Sequence, residues 1–127
     1  MNTAVKKVMI VEDDEHISKV YEIKLAKEGV VVSVARDGEE AIIRITAEKP
    51  DLVILDLMVP KKDGFAVLEE IKKNPALAPI PVIVLSNLGQ QVDQERAMAL
   101  GAREYLVKVN YPIQDVVDKV KGYLAGV

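Results

Sequence analysis

Leu52-Val53-Ile54-Leu55-Asp56 is the stretch on which the fold turns. Apolar residues run here without a polar break and stop on a carboxylate. A short run with no alternation is what a strand covered on both faces requires, because neither face can carry polar groups to water. Similar runs recur on both sides of it. Val8-Met9-Ile10-Val11 comes first, then Val30-Val31-Val32-Ser33-Val34-Ala35. Pro81-Val82-Ile83-Val84-Leu85 and Tyr105-Leu106-Val107 follow.

Between the runs the apolar residues change to helical spacing. Ile17, Val20, Tyr21 and Leu25 mark one helix, which Gly29 stops. Asp37 stands as N-cap with Glu40 at the capping-box spacing, and Ala41, Ile42 and Ile45 form the apolar face behind them. Asp63 caps a third helix bearing Phe65, Leu68 and Ile71, and Asn74-Pro75 ends it. A fourth spans about Val92 to Leu100 and stops at Gly101. Pro112 suits the first turn of the last, where Ile113, Val116, Val117, Val120 and Leu124 point inward.

Strands alternating with helices imply an α/β fold of (βα)₅ type, with a parallel sheet and right-handed crossovers. No long linker, repeat or low-complexity segment interrupts the pattern, so residues 1–127 are expected to form one domain. In such sheets chemistry collects at the carboxyl ends of the strands.

Composition narrows that chemistry. Half of the 127 residues are hydrophobic and only five are aromatic, so Val, Ile, Leu and Ala must build the core. Cys is absent, which excludes disulfides and thiolate metal sites and fits a reducing compartment. One histidine, His16, excludes a poly-His zinc site and is expected to sit exposed in the first helical turn. A net charge of −3 gives no broad basic surface, so direct binding of nucleic acid is not expected. The apolar run after Lys7 breaks at Glu12, too early for a signal peptide, and no stretch is long enough to span a membrane. The expected location is the cytoplasm.

Polar residues end four of the five strands. The first ends in Glu12-Asp13-Asp14, the third in Asp56, the fourth in Ser86-Asn87 and the fifth in Lys108. The second ends blandly in Ala35-Arg36. Each feature alone is ordinary: an acidic run often caps a helix, and a lone Lys or Ser is often surface. Together they set carboxylates, a hydroxyl and an ammonium at one edge. Crowded carboxylates without His or Cys favour a hard cation, Mg²⁺ in particular. A Lys and a Ser beside them can receive a phosphoryl group.

On these residues the chain resembles the receiver domains of two-component response regulators. The resemblance is carried by Val11-Glu12-Asp13-Asp14, by Leu55-Asp56-Leu57-Met58-Val59-Pro60-Lys61-Lys62-Asp63-Gly64, by Val84-Leu85-Ser86 and by Leu100-Gly101-Ala102-Arg103-Glu104-Tyr105-Leu106-Val107-Lys108. It implies a flavodoxin-like sheet of order 2-1-3-4-5. It implies Asp56 as phosphoacceptor, with Mg²⁺ held by Asp13, Asp56, the Met58 backbone carbonyl and, through water, Glu12. Ser86 and Lys108 would bind the phosphoryl group, and Ser86 and Tyr105 would form the switch. The implied partners are a sensor histidine kinase or phosphotransfer protein upstream and an unnamed protein downstream. Such a domain is a phosphoacceptor with weak self-phosphorylation and self-dephosphorylation rather than an enzyme. With no output region after the last helix, it is expected to be stand-alone, like a chemotaxis regulator, or excised.

Two positions depart from the family pattern. Val109 follows Lys108 where proline is usual, and Asn87 follows Ser86 where a small residue is usual. A cis bond without proline is costly, so Lys108–Val109 is expected to be trans, with a different path into Pro112 and a resting pairing of Lys108 looser than in a proline-containing relative. Asn87 is expected to crowd the switch. The competing readings are a pseudo-receiver that binds partners without phosphorylation, an aspartate phosphohydrolase and a nucleotide-binding flavodoxin-like protein. Met58 removes the second acid a phosphohydrolase would carry. The acidic loop after the first strand lacks the glycines a nucleotide site needs.

Overall fold

All of β3 (Leu52–Leu55) is buried, as its uninterrupted apolar run requires. In the computed structural model, which describes residues 5–125, it forms the centre of a five-stranded parallel sheet. The N-terminal residues up to position 4, part of the segment read above as no leader, lie outside the described residues, as do 126–127. β1 (Lys7–Val11) and β4 (Val82–Ser86) flank β3, and β2 (Val31–Ala35) and β5 (Glu104–Val107) form the edges. The order is β2-β1-β3-β4-β5, the flavodoxin-like order that the sequence implies.

Side-chain parity along the strands sorts the core into two layers. Met9, Val11, Val53, Leu55, Val82 and Val84 point to one face. There they meet α2 (Gly38–Glu48), α3 (Gly64–Lys73) and α4 (Gln91–Ala99). Val8, Ile10, Leu52, Ile54, Ile83, Leu85 and Leu106 point to the other face, against α1 (Glu15–Lys27) and α5 (Ile113–Ala125). Truncating a fully buried Leu in either layer to Ala costs about 2–5 kcal/mol.

Most helix signals hold. Asp37 and Asp63 cap α2 and α3, accepting from the Glu40 amide at 2.8 Å and the Ala66 amide at 2.9 Å. The reciprocal arm of the expected capping box differs: Glu40 takes the Arg36 amide rather than that of Asp37. Asp14 caps α1, and His16 is exposed in its first turn as expected. Val20 does not face inward. It is 38% exposed, because the buried face of α1 runs along Ser18, Tyr21 and Leu25, with Ile17 packed beside it. Ser86 is the last residue of β4 rather than the first beyond it, and β2 begins at Val31.

α4 is held lightly. Ala97 is its one buried residue and no side chain caps its N-terminus. Its exposed Arg96 lies with the guanidinium 4.1 Å from the centre of the Phe65 ring on α3. Among the described residues no helix is long and apolar enough to cross a membrane.

Candidate functional site

Register brings the strand ends together. Val11 is level with Leu55, Leu55 with Val84, and Ser86 with Val107. The residues that follow, Glu12, Asp56 and Lys108, therefore share one edge with Ser86. The Asp56 amide still donates to the Val11 carbonyl at 3.0 Å, so the ladder fixes the backbone beneath the acid.

Asp56 is 6% exposed, and both of its carboxylate oxygens are occupied. Oδ1 accepts from the Ser86 hydroxyl at 2.9 Å and from the Met58 amide at 3.0 Å. Oδ2 accepts from Lys108 Nζ at 2.8 Å. Held at both oxygens, the carboxylate has a fixed rotation. Ser86 is wholly buried, and its hydroxyl sits within hydrogen-bond distance of the carboxylate.

Lys108 also donates to Glu12 Oε1. Burial alone would lower its pKa, but the hydrogen bonds and charges of Asp56 and Glu12 outweigh burial and raise it. The ammonium therefore stays charged. Burial pushes Glu12 up despite the Lys108 and Asp14 hydrogen bonds that oppose the shift. Lys108 thus contacts both buried carboxylates at once. The described residues contain no cis peptide bond, so Lys108–Val109 is trans as expected. A 3₁₀ turn over Lys108–Asn110 leads into Pro112, and Val109 is left 80% exposed. The ammonium reaches inward because its stem is long, whatever path the backbone takes next.

Carboxylate oxygens of Glu12, Asp13 and Asp56 lie within 4.8 Å of one another. Asp13 is exposed and makes no hydrogen bond or ion pair among the described residues. With all three ionised, Lys108 offsets one charge and two remain, which matches a divalent ion. An all-oxygen donor set open at Asp13 fits a hard cation.

Tyr105 is half-buried, and its hydroxyl donates to the Leu88 carbonyl in the loop after β4. Burial raises its pKa, and the charges of Asp93 and Asp56 add to the shift. Asn87 is exposed, in the bend that follows β4. Sequence reasoning missed Leu88, because a backbone carbonyl has no residue signature. It also read Tyr21 only as core. Tyr21 is buried on α1 within electrostatic reach of Lys108 and Glu12, and burial raises its pKa.

An acidic edge with one hydroxyl and one ammonium, on a sheet of this order, defines a class of signalling receiver. The family model described as "Response regulator receiver domain" matches residues 8–121, and the chain belongs to that family. It is 44% identical over 103 residues to a probable transcriptional regulator ycf27 of Guillardia theta, covering 81% of this chain and 39% of that protein. The chain spans less than half the length of the curated relatives it matches, the PhoP regulator of Bacillus subtilis among them.

Among solved structures, the phosphorylated cyanobacterial phytochrome response regulator RcpA is 34% identical, with a TM-score of 0.85. The match covers 98% of this chain and 97% of that one. The Mn²⁺-bound form of response regulator Rcp1 is 33% identical, with a TM-score of 0.78 over 92% of this chain and 90% of that one.

Proposed function

We propose that this receiver domain takes a phosphoryl group on Asp56 and passes the signal on through altered partner binding. The observation that carries the reading is the pair of fixed oxygens on Asp56, held by Ser86, Met58 and Lys108. A carboxylate that is already oriented loses little entropy on attack. Asp56 attacks phosphorus in line, and the bond to the donor breaks, whether the donor is a phosphohistidine on a kinase or phosphotransfer protein or a small acyl phosphate. Lys108 then shifts its contact from the carboxylate to the phosphoryl oxygens, and the Ser86 hydroxyl follows.

Asp13, Asp56, the Met58 carbonyl and, through water, Glu12 would hold Mg²⁺, which would supply charge neutralisation at the phosphoryl group. The three clustered carboxylates support this choice of ion, and the Mn²⁺ form of Rcp1 is consistent with it. Tyr105 and the Leu88 loop carry the change to α4, β5 and α5. The domain acts as phosphoacceptor, with only weak self-phosphorylation and self-dephosphorylation. The Cys-free composition fits action in the cytoplasm. Its downstream partner is a protein, and the regulation of transcription named for ycf27 belongs to that longer relative.

Incubation with acetyl phosphate and Mg²⁺, read by intact mass, tests the proposal. One added phosphoryl group is expected on the native chain and none on Asp56→Asn. An unmodified native chain, or a modified Asp56→Asn, would remove it.

A further inference from the structure

The loop between β3 and α3, residues 56–63, carries Met58 past Asp56, and its far side rests on α2. The Gly38 amide donates to the Pro60 carbonyl at 3.2 Å. A Cβ on Gly38 would lie 1.8 Å from the Lys62 carbonyl oxygen and 2.7 Å from the Lys62 carbonyl carbon and Cβ. The obstacle is mainly backbone, so it cannot swing aside as a side-chain tip would. Asp37, which caps α2, also pairs with Lys61 Nζ at 3.6 Å. Lys61 has φ 69°, a left-handed conformation that a non-glycine residue keeps only when its surroundings enforce it.

The other end of the loop is pinned in the same way. A Cβ on Gly64 would meet Leu57 Cα at 2.5 Å and the Asp56 carbonyl oxygen at 2.7 Å. Between these contacts the Met58 amide holds Asp56 Oδ1. Displacing the loop at Lys62 moves that donor and the backbone beside the carboxylates.

We propose that Gly38 is a positioning residue for the Asp56 site. Its missing side chain lets α2 hold the loop where Met58 fixes the carboxylate. For the metal and phosphoryl steps this rests on the reading of Asp56 as a metal-dependent phosphoacceptor. For the loop itself it rests on the contacts alone.

The test compares the native chain with Gly38→Ala and with Val116→Ala, a core truncation on the opposite face that loses stability without touching the loop. Amide exchange at Met58 is measured without metal, then Mg²⁺ affinity by titration, then the rate of phosphorylation by acetyl phosphate. Gly38→Ala is expected to speed Met58 exchange and weaken Mg²⁺ binding about tenfold or more, the size seen when outer supports of a metal site are lost. Val116→Ala should keep native values for both. If Gly38→Ala matches Val116→Ala in exchange and affinity, the proposal is overturned.

Should Gly38→Ala not fold, Lys61→Gln carries the test, because the two explanations predict opposite signs. Removing a cation near the acids would by charge alone tighten Mg²⁺ binding, whereas loss of the tether to Asp37 weakens it. Weaker binding supports the proposal, and unchanged or tighter binding overturns it. If the native chain itself neither binds Mg²⁺ nor takes a phosphoryl group, the phosphoacceptor reading fails. Met58 exchange in the metal-free variants then still decides the role of Gly38.

Discussion

The Tyr105 hydroxyl donates to the Leu88 carbonyl, so β5 and the loop after β4 share a hydrogen bond. That loop begins one residue after Ser86, whose hydroxyl holds Asp56. The contact therefore links the acidic edge to the entry of α4. Tyr105→Phe keeps the ring and removes the donor. A stability loss of about 0.5–1.5 kcal/mol is expected, with faster amide exchange at Leu88 and Gly89. Denaturant unfolding and exchange measurements on the variant check both. Unchanged exchange would show that the loop is held by other contacts.

Lys108 is the cation between two buried carboxylates. Lys108→Met should leave them facing each other, at a cost of about 3 kcal/mol in metal-free buffer. Mg²⁺ would then replace the missing charge, so the rise in Tm on adding Mg²⁺ should be larger in the variant than in the native chain. Thermal melts with and without Mg²⁺ decide the sign. An equal rise in both proteins would mean that Lys108 and the ion do not share the same field.

Asp13 makes no hydrogen bond or ion pair among the described residues and faces solvent at the acidic cluster. The native chain should gain stability from millimolar Mg²⁺, because binding to the folded state alone shifts the equilibrium by mass action. In Asp13→Asn that gain should shrink most of the way to zero, and chelator should erase it in the native chain. Retention of the full gain by Asp13→Asn would move the ion away from this cluster.

Tyr123 on α5 donates to Glu104 on β5, and Lys119 donates to the same carboxylate at 3.0 Å. The Tyr123 hydrogen bond holds Glu104 below its ordinary carboxylate range against the opposing effect of burial, with Lys119 helping. A depressed acid contributes stability above its unfolded pKa and loses it as the pH falls through its folded pKa. Burial, then the bond to Glu104, pushes Tyr123 up to about 12. A raised phenol contributes below its unfolded pKa and loses that contribution as the pH rises toward 12. The stability difference between the native chain and Tyr123→Phe should thus be widest near neutral pH and narrow at both extremes. Urea unfolding across pH reads it directly. A difference that is flat into acid would exclude Glu104 as the linked group.

The sheet was legible because its central strands are buried on both faces. Val8–Val11, Leu52–Leu55 and Val82–Leu85 carry no polar residue, and only a covered parallel strand tolerates that. The site was legible for a related reason: a polar residue directly after such a run has one place to go. Glu12, Asp56, Ser86 and Lys108 all met at the expected edge. The burial of α1 was less legible. Helical spacing names a face but not its width, so Val20 read like Tyr21 and Leu25. The contact of Gly38 with Lys62 left no signal beyond a glycine after an N-cap, because it is made by backbone atoms. That Lys108 pairs with Glu12 as well as Asp56 left no signal of its own. Val109 informs on the backbone, whereas the reach of the side chain is set by the carboxylates opposite.

The single buried residue of α4 has a consequence for the lifetime of the molecule's parts. A helix that contributes one alanine to the core and has no side-chain cap can detach without the sheet coming apart. Such segments open at free energies well below that of global unfolding. The chain therefore has two clocks. The sheet, with α1, α2, α3 and α5, is expected to open rarely and all at once, and α4 more often and alone. A protease added to the native protein finds the second clock first, so the earliest cut falls between Gly89 and Gly101 while the rest of the fold stays intact.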